Sequence, residues 1–130
     1  MTVLSFACAK LIVGDIAALE AFYTAALGLE VLVRLNVDEG DAPLQELFFA
    51  MPGGAKPDFA LIKYTDRPVP PPGEALLTFM VADLEATIAA VEAHGGRNLT
   101  GAIEAPQWAM RLAFVADPGG HQIELMQATA

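Results

Sequence analysis

Cysteine and serine each occur once in this chain, as Cys8 and Ser5. A single cysteine excludes an intrachain disulfide framework and is typical of a reducing compartment, so we expect a cytoplasmic protein. With one serine and no G-x-S-x-G elbow, serine-nucleophile chemistry has no evident site, and P-loop and dinucleotide fingerprints are also absent. Cys8 is either a nucleophile beside Lys10 or, as buried cysteines usually are, inert.

Basic residues are also scarce, with 7 Lys and Arg against 16 Asp and Glu and a net charge of −9. Because no run of Lys or Arg occurs, a nucleic-acid or anionic-membrane partner is not expected. The charge indicates either an ordinary acidic surface or a preference for a cationic ligand. No apolar run approaches the length of a membrane span, and the pattern of a secretory leader is missing.

The chain is rich in hydrophobic residues (55%), enough for one domain over residues 1–130. It contains an internal repeat with an offset of 68 residues. This offset aligns Val13 with Val81 and Asp15 with Asp83, and it aligns Gly28 with Gly96. The aligned residues fall at turns and helix ends, which indicates a duplicated module.

Each copy begins with a strand, 6–13 or 76–81, followed by a helix with Asp15 or Asp83 as its N-cap. Three more strands follow each helix. They are expected at 30–36, 45–51 and 59–64 in the first copy, and at 97–101, 109–116 and 122–127 in the second. The proline-rich segment 67–73 is predicted to be an extended linker between module one (1–66) and module two (74–130). The pattern predicts an α+β fold of two βαβββ modules.

Two motifs carry a family resemblance: Val13-Gly14-Asp15 ahead of a helix with Phe22-Tyr23, and FVADPGGHQIEL at 114–125. Together with the repeat they resemble the vicinal oxygen chelate superfamily of glyoxalase, bleomycin-resistance and dioxygenase proteins. The resemblance covers almost the whole chain and implies a cupped, mixed or antiparallel sheet with helices outside. It also implies a homodimer, whose cups are often shared between two chains. It does not fix the activity, because this fold hosts unrelated chemistries.

Enzymes of this family hold a divalent metal in the cup through His or Gln, Glu, His and Glu from four strands. By the spacing of the motifs, these positions fall on Cys8, near Leu61, near Leu76 and on Glu124. Leucine offers no ligand atom, and Cys8 with Glu124 makes a poor site. The resemblance therefore predicts no metal and no other cofactor. We expect His94 and His121 to be exposed turn residues rather than ligands.

The alternation of side chains along each strand assigns residues to the cup. The predicted ligand-binding set is Cys8, Lys10, Leu61, Lys63, Leu76, Thr78, Trp108, Arg111, Gln122 and Glu124. A buried charge needs a partner, so a Lys–Glu pair of Lys10 or Lys63 with Glu124 could occupy the metal position. The alternative is that the lysines reach outward and that water or backbone satisfies Glu124.

Two further residues of this set have two interpretations each. Trp108 either stacks on a flat ligand at the mouth of the cup, or caps the core or a dimer interface. Arg111 either binds an anionic group or lies on the outer face of the sheet.

The leading hypothesis is a metal-independent small-molecule binding protein that sequesters a cationic or aromatic compound. The alternative is an enzyme, either a divergent glyoxalase-like lyase or isomerase or a dioxygenase-family enzyme. In the lyase or isomerase, Glu124 is the catalytic base and Lys10 an electrostatic aid. A third hypothesis is a structural or regulatory dimer whose cup binds nothing.

Overall fold

The computed structural model describes residues 1–129, which form two helices, nine strands and a short 3-10 turn. The first half contains β1 (Ala9–Ile12), α1 (Ile16–Ala25), β2 (Glu30–Val37), β3 (Leu44–Ala50) and β4 (Phe59–Tyr64). The second half contains β5 (Leu77–Met80), α2 (Leu84–Ala93), β6 (Arg97–Asn98), β7 (Ile103–Ala105), the 3-10 turn (Pro106–Trp108), β8 (Met110–Ala116) and β9 (Gln122–Ala128). Neither helix is long and apolar enough to cross a lipid bilayer in the described part of the chain.

The strands form two sheets, one from each half. The first has the order β1-β4-β3-β2, and the second has the order β5-β9-β8-β6 with β7 beside β8. In each sheet the strand that precedes the helix pairs in parallel with the last strand, and the other pairs are antiparallel. The predicted α+β class is confirmed.

Two strands are three or more residues shorter than predicted, and the other predicted strands match within one residue at each end. The strand expected at 6–13 is paired only over Ala9–Ile12, and the one expected at 97–101 is reduced to Arg97–Asn98. The short strand Ile103–Ala105 was not predicted at all. It precedes a 3-10 turn that begins at Pro106, and neither element is long enough to show a hydrophobic period.

Both helices begin as the sequence predicts. The carboxylate of Asp15 accepts a hydrogen bond from the amide of Ala18 (3.0 Å), and that of Asp83 accepts one from the amide of Ala86 (3.0 Å). These caps satisfy amide groups that have no partner within the helix.

The glycines that end the two helices differ by one residue from the alignment that the repeat gives. Gly28 after α1 and Gly95 after α2 have positive φ angles of 73° and 91°, where a side chain would be strained. The repeat had aligned Gly28 with Gly96 instead. Gly96 is small for another reason, because a Cβ there would lie 2.6 Å from the carbonyl oxygen of Ala116 and 2.7 Å from Phe22 Cε1.

A single apolar cluster joins the two halves. It contains buried residues from α1 (Leu19, Phe22, Tyr23) and α2 (Leu84, Ile88, Val91), together with residues from one face of each sheet. We call that face of each sheet the helix side and the opposite face the open face. The hydroxyl of Tyr23 in α1 also donates to the carboxylate of Asp117, between β8 and β9, at 2.7 Å. The two halves therefore share one core.

Candidate functional site

The open face of the second sheet carries the residues that the sequence assigns to it. Thr78 lies opposite Glu124 in the β5–β9 register, and its hydroxyl donates to Glu124 Oε1 at 2.9 Å. Gln122 shares this parity along β9, and Leu76, just before β5, is 49% exposed. The strand β8 places Phe114 opposite Glu124, so this carboxylate has an apolar neighbour on one side and a hydroxyl on the other.

On the first sheet the predicted facing of Leu61 and Lys63 is wrong by one residue. Leu61 pairs with Leu11 and is fully buried in the shared core, on the helix side. Lys63 lies two residues after Leu61 on the same strand and therefore faces the same side of the sheet. Ala60 and Ile62 take the open face instead, because the parallel β1–β4 register pairs them with Lys10 and Ile12. All six residues of β4 are at least half-buried, so its composition has no alternation from which its facing could be predicted.

The predicted ion pair between a lysine and Glu124 is also wrong, because Lys10 pairs with a different acid, Glu46. Lys10 Nζ lies 2.6 Å from Glu46 Oε2, and Glu46 is only 6% exposed. Lys10 is the charged neighbour of this buried oxygen, which has no other hydrogen-bond partner within residues 1–129. Lys10 Nζ is also 5.0 Å from the centre of the Phe48 ring. The contact with Glu46 raises the pKa of Lys10 above its usual 10.5.

Glu46 was missed in the sequence. The signal for it was a lone acid within the otherwise uncharged strand Leu44–Ala50, LQELFFA. A carboxylate in such a strand must find a partner or a function, because burial of an isolated charge is costly.

The structure corrects one of the four metal positions of the family. The offset of 68 residues aligns Lys10 with Thr78; Lys10 pairs with Ala60, and Thr78 pairs with Glu124. The residue equivalent to Glu124 is therefore Ala60, not Leu61. The four positions become Cys8, Ala60, Leu76 and Glu124. Two of these side chains have no ligand atom, and residues 1–129 contain no group of three or more His, Cys, Asp or Glu side chains that could hold a metal ion. The donor set does not fit a divalent metal.

Arg111 lies on the outer, helix side of its sheet. Its guanidinium donates to Glu104 Oε1 at 2.7 Å and forms a second, bidentate contact with the carboxylate of Glu85 on α2. Arg111 lowers the pKa of Glu85 to about 2, chiefly through these hydrogen bonds. With its donors engaged on the helix side, Arg111 does not reach the open face, and its position agrees with the second interpretation, a place on the outer face of the sheet.

Trp108 ends the 3-10 turn and is 69% exposed. The next residue, Ala109, adopts a left-handed conformation with φ of 50°, which turns the chain into β8. Trp108 therefore does not cap the core of this chain. It remains a candidate for contact with a ligand or with a second chain.

His121 is buried rather than exposed in its turn, contrary to the prediction. Its Nδ1 lies 2.9 Å from both carboxylate oxygens of Asp117, and its backbone amide donates to Asp117 Oδ1 at 3.0 Å. Asp117 also accepts from the hydroxyl of Tyr23. The turn is thus held by a buried polar network. His94 is exposed at the end of α2, as predicted.

A cavity of about 310 Å³ lies at the edge of the first open face. It is bounded by Lys10 and Ile12 of β1, by the prolines of the segment between β4 and β5, and by His121. Cys8, two residues before Lys10, is half-exposed. This edge has both an apolar wall and charged groups, which is the usual character of a small-molecule site.

Comparison with known proteins agrees with this architecture. The chain is similar to a glyoxalase family protein from Bacillus cereus, with a TM-score of 0.85, 16% identity and coverage of 100% of this chain and 97% of that one. It is also similar to the fosfomycin resistance protein FosX from Listeria monocytogenes, solved with Mn(II) and sulfate, with a TM-score of 0.72, 15% identity and coverage of 98% and 95%. A glyoxylase/bleomycin resistance protein/dioxygenase domain from Frankia has a TM-score of 0.74, 21% identity and coverage of 98% and 99%. These identities support the fold alone.

None of the curated proteins compared with the chain matches it significantly. A family model does match, over residues 5–125, and that span includes both sheets almost entirely. The chain belongs to the Glyoxalase/Bleomycin resistance protein/Dioxygenase superfamily.

Proposed function

We propose that this protein is a metal-independent small-molecule binding protein whose ligand lies against the open sheet faces and combines an aromatic ring with a positive charge. The observation that carries the proposal is the composition of these faces. On the second face Glu124 lies opposite Phe114, where family enzymes would need a metal ligand, whereas on the first face Lys10 already lies against both Glu46 and Phe48.

The chemistry of the second open face favours a cation. Thr78 occupies one oxygen of Glu124, and no protein cation pairs with this carboxylate in residues 1–129. A positively charged ligand would supply the missing partner, and the Phe114 ring offers a surface on which a flat ligand can stack. The net charge of −9 attracts the same class of ligand from solution.

A homodimer is part of this proposal. Six apolar side chains of the open faces are between 42% and 59% exposed, namely Ile12, Val33, Leu35, Val37, Leu76 and Met80. Large apolar side chains exposed on a sheet face often mark an interface or a ligand site. Two copies whose open faces meet would enclose the ligand and cover these side chains together.

The test is calorimetric titration with ethidium, a flat aromatic cation, in buffer containing a chelator. We expect binding to the native chain, and binding weaker by about tenfold in Glu124→Gln, which is the loss of roughly one charge-assisted contact. Glu92→Gln is the matched control, since it removes the same charge from the exposed face of α2. Equal affinity in both variants, or binding that requires an added divalent metal, would refute the proposal.

A further inference from the structure

The imidazole of His121 has one ring nitrogen fixed by the buried network of its turn. Asp117 accepts from the hydroxyl of Tyr23 at 2.7 Å and from the amides of Gly119 and His121 at 2.9 and 3.0 Å. An ionised carboxylate can only accept, so Nδ1 of His121, 2.9 Å from both oxygens of Asp117, donates to it. In the neutral ring the proton therefore lies on Nδ1, and Nε2 keeps an unshared electron pair.

The other ring nitrogen, Nε2, is open to a cavity. It forms no hydrogen bond with another residue of the described chain, and Glu46 Oε2 is the only buried side-chain nitrogen or oxygen without a partner in residues 1–129. Nε2 is thus unbonded without being buried, although His121 as a whole is only 9% exposed. His121 lines the cavity of about 310 Å³ beside Lys10, which we call the first cavity, and a second one of about 290 Å³ beside Asp15. The first cavity therefore has a hydrogen-bond acceptor that the fold holds in one orientation.

Prolines form the other notable wall of the first cavity. Pro70, Pro71 and Pro72 line it, and the first and last of them also line the second cavity. Because proline has no N–H group, this wall offers apolar rings and carbonyl acceptors but no donor. Proline-rich segments pack against aromatic rings where proteins recognise them. The wall is therefore suited to an aromatic ligand.

The charges around the first cavity disfavour an anion. Glu74 lines it, and Asp15 lines the neighbouring cavity. The lysine of the lining, Lys10, is already engaged with Glu46 at 2.6 Å. A ligand that carries a carboxylate would meet repulsion without a free cation to bind it. The cavity thus suits a neutral molecule that has an aromatic ring and donates a hydrogen bond.

We infer that the first cavity is a separate binding site for a small neutral phenol. The phenol hydroxyl donates to Nε2 of His121, and its ring packs against the prolines. A volume of about 310 Å³ is at the small end of ligand pockets, so the occupant is a single ring with short substituents. The site goes beyond the proposed function, because neither Glu124 nor Phe114 lines this cavity.

The experiment titrates the full-length chain with para-cresol and follows both imidazole rings by proton–nitrogen NMR. The chain has two histidines, so His94, exposed at the end of α2, is an internal control. The matched ligand is para-xylene, in which a methyl group of similar size replaces the hydroxyl. The matched variants are Ala75→Trp, which adds bulk at the first cavity, and Ala55→Trp, which adds it at an exposed position outside both cavities.

We expect the free protein to show His121 protonated on Nδ1, and para-cresol to shift Nε2 of His121 but not the nitrogens of His94. Binding of para-xylene should be weaker by at least about tenfold, because one hydrogen bond is lost. Ala75→Trp should weaken the binding of para-cresol by a similar factor, and Ala55→Trp should leave it unchanged.

Three results would overturn the inference: an Nε2 signal that does not move at millimolar para-cresol, equal affinities for the two compounds, or equal binding to the two variants. Each of them would leave the proposed function standing, since that proposal depends on Glu124 and is tested with ethidium.

Discussion

The replacement Tyr23→Phe probes the contact that joins the two halves of the molecule. Tyr23 is fully buried, and its hydroxyl donates to Asp117 Oδ2 at 2.7 Å. The substitution removes one oxygen and leaves the ring, which packs edge-on against Phe22 and Phe59 at centroid distances of 5.1 Å. The apolar core is therefore preserved while one polar contact is lost.

The expected loss of stability in Tyr23→Phe follows from the charge of the hydrogen-bond acceptor, Asp117. A hydrogen bond to a charged group contributes about 1.5–3 kcal/mol, and Asp117 keeps its bonds from Gly119 and His121 when the hydroxyl is gone. We therefore expect the free energy of unfolding to fall by about 1.5–3 kcal/mol. For a domain of this size that corresponds to a decrease in Tm of roughly 5–15 °C.

The assay is thermal and urea denaturation of Tyr23→Phe beside Tyr64→Phe. Tyr64 is the other tyrosine of the chain, and its hydroxyl makes no hydrogen bond within residues 1–129, so its loss should change stability by less than about 0.5 kcal/mol. Equal effects of the two substitutions would show that the Tyr23–Asp117 bond contributes nothing beyond a hydroxyl that makes no hydrogen bond.

The contact between Tyr23 and Asp117 also predicts that the stability of the protein depends on pH in the alkaline range. Burial, followed by the charge of Asp117, raises the pKa of Tyr23 well above 10. Because the folded state then keeps a proton that the unfolded state loses, stability should decrease as pH rises above 10. Spectrophotometric titration should show Tyr23 ionising only when the protein unfolds.

Three further predictions concern other residues. Gly96→Ala should destabilise the fold by about 1–3 kcal/mol in urea denaturation, because the new methyl group would overlap Ala116 and Phe22; an unchanged midpoint would refute the close packing. Asp83→Ala should lower stability by about 1 kcal/mol through loss of the α2 cap, and restoration by Asn but not by Leu would separate capping from other effects. Arg111 lowers the pKa of Glu85 from its usual 4.5 to about 2, so this contact stabilises the folded protein above pH 4.5 and loses its effect as the pH falls toward 2. Glu85→Gln should therefore make the stability of the protein depend less on pH between 4.5 and 2. An unchanged pH dependence would contradict the Arg111 contact.

The fold was predictable because its signals are local and repeated. The two aspartate caps and the helix patterns around Phe22 and Ile88 each specify one element, and the repeat specifies that the elements recur. The glycine turns agree with them. The α+β class follows from such signals without knowledge of any long-range contact.

The site was less predictable because it depends on register between strands. A strand buried on both faces, such as β4, has no alternation from which to assign its facing, and a shift of one residue moves Leu61 from the open face into the core. The same limit explains Glu46, whose contact with Lys10 spans the intervening strand β4. His121 contacts Asp117, which also accepts from Tyr23, a residue that lies far away in the sequence and comes close only in the folded chain.

The central claim, that the protein works without a metal, is tested most directly by the metal content of the chain purified without chelator or affinity tag. The donor set Cys8, Ala60, Leu76 and Glu124 predicts less than about a tenth of a transition metal per chain by elemental analysis. A value near one metal per chain, lost in Glu124→Gln, would contradict the account and make a metal-dependent activity the leading hypothesis.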